Sequence, residues 1–203
     1  MDFQQPHKAI ITLFMDSFMH INPVSGLIRN IDYIASPNFN DRPADKTISL
    51  IVVHNISLPP NTFGGPYIEQ LFCNHLSAEA HPYFANICHL QVSAHILIRR
   101  TGQLIQFVPF HKRAWHAGIS SFQEHKNCND YSIGIELEGA DHIPYADEQY
   151  RTLASLITAL QQLYPAITQQ RIVGHSDIAP ERKTDPGPAF DWDYLFKRLS
   201  HKK

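Results

Sequence analysis

Five residues spread along the chain carry side chains suited to metal-assisted hydrolysis. His54 follows the apolar run LIVV, and His175 follows RIVG, so each closes a short strand-like segment. Asp185 lies in the loop beyond His175. Two imidazoles and a carboxylate form one of the ligand sets of catalytic zinc, which keeps a fourth position open for water. Such a metal polarises a carbonyl and supplies hydroxide near neutral pH. Spacing does not single out this trio, because no HExxH pattern is present and a histidine after a strand is ordinarily a hydrogen-bonded structural residue. Glu136 sits inside the apolar segment IGIELEG. A buried carboxylate costs free energy unless it is paired or faces a ligand. Strand alternation sets Glu136 and Glu138 on one face and Ile135 and Leu137 on the other. A face lining a metal cleft resolves that cost, and so does an exposed edge strand. Lys183 stands two residues before Asp185. In an extended loop both could reach one cleft, where an ammonium can hold charge developing on an oxyanion. A solvated surface lysine is the commoner occurrence.

These residues need elements to position them. The β-branched run ISLIVVH at 48–54 predicts a buried central strand. Residues 57–66, rich in Pro and Gly, predict a loop, and Pro66 can open a short helix with Ile68, Leu71 and Phe72 on one face. The stretch 74–90, with His75, His81 and His89, reads as a long surface loop of the kind that shapes sites. VSAHILIRR and LIQFVP predict two strands joined by a tight turn at Thr101 and Gly102. Residues 111–132 are irregular and carry Trp115, His116 and Asn129, and 133–139 predicts another strand. One long helix is expected, capped by Asp147, with Tyr150, Leu153, Ile157, Leu160 and Tyr164 at helical spacing and Pro165 as its stop. A strand reaches His175, and a short helix falls near 191–199. The expected fold is a single α/β domain around a mostly buried sheet.

Composition narrows the function classes. The chain has 203 residues, 43% apolar and 18% charged, which suits one folded domain. Its formal net charge is −2 with no basic block, so it lacks the footprint of a nucleic-acid binder. Cys73, Cys88 and Cys128 match no disulfide scaffold or metal knuckle and read as buried packing. The apolar run at residues 9–19 is interrupted by Asp16 and is too short to span a membrane. It has no clean small-residue cleavage site and no lipid-accepting cysteine after it, so an amphipathic helix or extension is expected in place of an export signal.

The stretches SPNFNDRP, LIVVHNISLPP, FGGPYI, HPYF, VSAHILIRR, FVPFHKRAWHAGISS, NCNDYSIGIELEG and GHSDIAPERKTDPGPAFDW run from Ser36 to Trp192. In them the chain resembles the cytoplasmic N-acetylmuramoyl-L-alanine amidases that act on 1,6-anhydro muropeptides. These belong to the wider zinc amidase family that includes phage T7 lysozyme and the peptidoglycan-recognition proteins. The resemblance implies a central mixed sheet flanked by helices, with zinc in an open groove. It implies His54, His175 and Asp185 as zinc ligands, Glu136 as general base and Lys183 as transition-state stabiliser. It sets Asn55, Tyr83, Trp115 and Ala179 along the substrate cleft. It further implies a cytoplasmic enzyme of peptidoglycan recycling that cleaves the lactyl–L-alanine amide of anhydromuropeptides. Its substrates would include fragments that induce β-lactamase in hosts with such a regulator, and no nucleic-acid or stable membrane partner is expected. Residues 31–200 would form the amidase domain, with 1–30 as an N-terminal extension.

Overall fold

The computed structural model describes residues 19–200. The run at residues 9–18 lies outside them. The centre is a six-stranded mixed sheet. Its strands are β1 (Asp32–Tyr33), β3 (Leu50–Ile56), β4 (Ile96–Ile98), β5 (Leu104–Gln106), β9 (Ser132–Glu138) and β10 (Ile172–Gly174), in the order β1-β5-β4-β9-β3-β10. β4, β9, β3 and β10 run parallel, while β5 pairs antiparallel with β4 through the tight turn at Thr101 and Gly102. Gly102 takes φ +83°, a left-handed conformation that suits glycine. Two small ribbons, β2 (Phe39–Asp41) with β6 (Lys112–Ala114) and β7 (Ser121–Phe122) with β8 (His125–Lys126), give the irregular 35–46 and 111–132 stretches their local order.

Parallel strands buried on both faces read as continuous apolar runs, and β3 and β9 do so because each face meets a different layer. Ile51, Val53, Ile133, Ile135 and Leu137 point to one side. There they pack on Leu153, Ile157 and Leu160 of the helix α2 (Asp147–Leu163). The helix α4 (Trp192–Ser200) adds Leu195 to this cluster. On the other side Leu97, Ile105 and Phe107 meet Ile68, Leu71 and Phe72 of α1 (Tyr67–Phe72). A third cluster joins Leu50 and Val52 to Cys128, Tyr131 and Ile178. The next residues on the Leu50–Val52 face are His54 on β3 and, across the pairing, Glu136 on β9. Alternation of period two therefore turns both away from α2.

Several expectations differ in detail. α2 begins at Asp147 with Ala146 as its cap, one residue earlier than an Asp147 cap would require. The side chain of Gln149 accepts from the Ala146 N–H and donates to the carbonyls of Ile98 and Glu138, so glutamine chemistry ties the helix start to two strand ends. β3 continues past His54 to Ile56, and His175 opens the short helix α3 (His175–Ile178) directly after β10. The 74–90 stretch contains 3-10 turns at Ala78–Ala80 and Pro82–Asn86, pinned by the fully buried Phe84. Cys128 is buried, but Cys73 and Cys88 are half-buried, and none of the three forms a disulfide. Among the described residues no helix is long and apolar enough to cross a membrane.

Candidate metal centre

β10 lies beside β3 in parallel register, Gly174 opposite Val53, so the residues that follow each pair come together. His54 from β3 and His175 from α3 meet with ring centroids 4.4 Å apart and an interplanar angle of 75°. Asp185 arrives on the loop after α3, which is held in place by the Ser176 N–H donating to the Asp185 carbonyl at 2.9 Å. Three donor atoms converge: His54 Nδ1 to His175 Nδ1 at 2.9 Å, His54 Nδ1 to Asp185 Oδ2 at 3.0 Å, and His175 Nδ1 to Asp185 Oδ2 at 3.1 Å. Both histidines are buried and Asp185 is half-buried.

This triangle fits a metal better than it fits hydrogen bonds. If both Nδ1 atoms carry protons, two donors face each other at 2.9 Å. If only one does, a nitrogen lone pair faces the ionised carboxylate. A shared cation satisfies all three contacts, and tetrahedral zinc with bonds of about 2.0–2.1 Å sets its donors roughly 3.3 Å apart. Protonation states agree. Burial pushes His54 down to about 4, partly offset by Asp185, so its imidazole is neutral near pH 7. Burial raises Asp185, but the close approach of His175 and His54 outweighs it and holds the carboxyl well below the usual range. Neutral imidazole and ionised carboxylate are the ligating forms.

The far ring nitrogens are also engaged. His54 Nε2 lies 3.0 Å from His116 Nδ1, and His175 Nε2 donates to the Ala117 carbonyl at 3.1 Å. His116 and Ala117 are contributions that reading by residue type passed over. His116 falls in a stretch without regular periodicity, and a main-chain carbonyl has no sequence signal.

The cleft beside the triad has a volume of about 350 Å³ and is lined by Glu136, Lys183, Asn55, Tyr83 and Trp115 among others. Glu136 pairs with His54 across β9 and β3. Its Oε2 is buried with no hydrogen-bond partner among the described residues. Burial, and then the Asp185 charge, push its carboxyl well above the ordinary range, against the pull of Lys183. Asn55 spends its amide N–H groups on Asp141 Oδ1 at 2.8 Å and the Pro186 carbonyl at 3.0 Å. Trp115 donates its indole N–H to Asn40 Oδ1 at 2.7 Å, leaving its ring as a wall of the cleft. Tyr83 is 40% exposed at the rim. Ala179 stands outside this lining, at the end of α3, where its carbonyl accepts from the N–H groups of Arg182 and Lys183.

Residues 44–188 match the N-acetylmuramoyl-L-alanine amidase family. The chain belongs to that family. The chain is 60% identical over 159 residues to the 1,6-anhydro-N-acetylmuramyl-L-alanine amidase AmpD of Citrobacter freundii, spanning 78% of this chain and 84% of the relative. With the AmpD of Escherichia coli K12 the identity is 58% over 159 residues, 78% of this chain and 86% of the relative. The crystal structure of a selenomethionine AmpD derivative superposes with a TM-score of 0.84 at 55% identity, covering 86% of this chain and 97% of the other. The central sheet, its flanking helices and the His/His/Asp cluster are thus those of an N-acetylmuramoyl-L-alanine amidase that uses zinc.

Proposed function

We propose that this amidase hydrolyses the amide between the lactyl group of 1,6-anhydro-N-acetylmuramic acid and L-alanine, with His54, His175 and Asp185 holding zinc. The observation that carries the reading is the convergence of two Nδ1 atoms and one carboxylate oxygen beside an unpartnered carboxyl, Glu136, in an open cleft. The anhydro sugar is supported by the high identity to the AmpD amidases. Zinc, when bound, would act as a Lewis acid on the carbonyl and make water acidic enough to ionise near neutral pH.

The chain's own residues supply the rest. Glu136 takes the proton from the attacking water, a role suited to a carboxyl whose proton affinity is raised well above the ordinary value by burial and then by the Asp185 charge. It then returns that proton to the leaving L-alanine nitrogen. Lys183 holds the negative charge that develops on the carbonyl oxygen. Trp115 and Tyr83 present flat surfaces to the sugar or the stem peptide, with Asn55 bracing the wall between them and the metal loop through Asp141 and Pro186. Ala179 contributes through its carbonyl, which sets the turn that delivers Lys183.

We further infer a cytoplasmic enzyme of peptidoglycan recycling, acting on soluble anhydro fragments. Incubation of the zinc-loaded protein with anhydromuramyl-tripeptide, followed by mass spectrometry, tests the reaction. Free anhydromuramic acid and free tripeptide are expected, with much slower release from intact sacculi. An unchanged substrate, or cleavage that survives complete removal of metal, would overturn the proposal. Cell fractionation tests the compartment, and recovery of the protein in the periplasm would overturn it.

A further inference from the structure

The dipeptide His116–Ala117 lies behind both candidate ligand histidines. Ala117 engages His175 through its main-chain carbonyl. His116 engages His54 through its side chain, Nδ1 to Nε2 at 3.0 Å, and its own Nε2 lies 3.1 Å from Ser132 Oγ. With His54 Nδ1 turned towards the triad, its proton sits on Nε2. That proton is donated to His116 Nδ1, and His116 then donates its Nε2–H to Ser132 Oγ. One tautomer of each ring satisfies the whole line.

The dipeptide is itself tightly seated. Asn129 Oδ1 accepts from the N–H groups of His116 at 3.1 Å and Ala117 at 2.8 Å. The His116 ring lies directly over Gly134 of β9, where an added Cβ would come within 2.4 Å of the ring. His95, edge-on to His116 at 5.8 Å, does not compete for it. Its Nδ1 accepts from the Gly134 N–H at 3.0 Å and its Nε2–H donates to the Lys112 carbonyl at 3.0 Å. Ala117 packs in the Leu50–Val52 apolar cluster, but the polar line through His116 is separate from that packing. The site that gains from it is the His54 ring.

We propose that His116 is a positioning residue that fixes the tautomer and orientation of His54, so that Nδ1 presents its lone pair to the metal. The proposal rests on the reading of His54, His175 and Asp185 as zinc ligands. Partners behind a ligating histidine typically change metal affinity by about 10–100-fold.

The test compares wild type, His116→Leu, His116→Asn and Ser132→Ala. Asparagine can set an amide oxygen where His116 Nδ1 stands, and leucine cannot. Zinc dissociation constants are measured by competition with a chromophoric chelator, and long-range nitrogen–proton spectra of ¹⁵N-histidine protein report the tautomer of His54. We expect a protonated Nε2 on His54 in the wild-type zinc form. His116→Leu should weaken zinc by about 10–100-fold, and His116→Asn should recover most of the loss. Ser132→Ala, which removes only the far acceptor, should weaken zinc by several-fold and shift the His116 signals. It carries the test should His116→Leu fail to fold. Wild-type zinc affinity in folded His116→Leu, or no advantage of asparagine over leucine, would overturn the proposal. So would an unprotonated His54 Nε2, or unaltered affinity and His116 signals in Ser132→Ala. If wild type itself binds no zinc, the ligand reading fails, a result distinguishable from failure of the role given to His116.

Discussion

Glu136 and Glu138 stand two residues apart on one face of β9, yet loss of either carboxylate should have opposite consequences. Glu138 is 2% exposed and accepts from Arg99 Nη1 at 2.7 Å, the Gly64 N–H at 2.6 Å and the Arg100 N–H at 3.1 Å. Arg99 also pairs with Glu69 and donates to the Gly65 carbonyl at 2.9 Å. Glu138→Ala therefore removes one of two carboxylates from a buried arginine and strips two backbone N–H groups of their acceptor. Breaking a buried pair costs about 3–5 kcal/mol, and the surviving Glu69 puts this case near the lower end, about 3 kcal/mol. In a domain of this size each kcal/mol lowers Tm by about 2–4 °C, which gives a fall of roughly 6–12 °C. Gly64 and Gly65 close the loop that carries Leu58 and Pro60 to the cleft, so KM should rise more than kcat falls. Glu136→Gln acts the other way. Its Oε2 has no partner to lose among the described residues, so melting should hold or improve, zinc content should be unchanged, and kcat should fall by about 10²–10⁴. Thermal melts, metal analysis and steady-state turnover on both variants decide the matter. A Glu138→Ala protein melting within about 2 °C of wild type would refute the buried clamp, and wild-type turnover in Glu136→Gln would remove it as the base.

Asp185→Ala should lose most of its zinc at equal total metal, seen by elemental analysis after dialysis, because two histidines alone make a poor site. Retention of one zinc per chain would count against the triad. Lys183→Met should keep zinc and lose about 10²–10³ in kcat, with little change in KM, as expected for a group that acts on developing charge. An effect confined to KM would assign Lys183 to ground-state binding. A pH prediction follows from Glu136, whose folded pKa is raised first by burial and then by Asp185 above its ordinary 4.5. The stability contributed by its protonated form is complete below that ordinary value and is lost as pH rises through the folded pKa. Metal-free wild type should thus lose stability relative to metal-free Glu136→Gln as pH rises. A difference in Tm that stays flat from about pH 5 to pH 8 would contradict it.

Local order was already legible in the order of residues along the chain. The run ISLIVVH, the alternation in IGIELEG and the stripe from Tyr150 to Leu160 specify β3, β9 and α2, because burial of apolar side chains at period two or 3.6 is written into neighbouring residues. Residue chemistry also marked His54, His175, Asp185, Glu136 and Lys183 as able to serve a hydrolytic metal. Their meeting was not legible from spacing, since 121 residues separate the two histidines. It depends on β10 adding to β3 in parallel, a pairing that gathers segments from distant parts of the chain. The choice left open for Glu136, cleft or exposed edge, is decided by β9 lying between β4 and β3 at the centre of the sheet. Glu138 shares its face and type but meets Arg99 and Gly64, so only the neighbours brought by folding distinguish the unpartnered carboxyl of Glu136 from a clamp. His116 is the extreme case. Its place depends on the bare backbone of Gly134 beneath its ring and on a nitrogen of His54 in front of it, relations that exist only once strands from separate parts of the chain have packed.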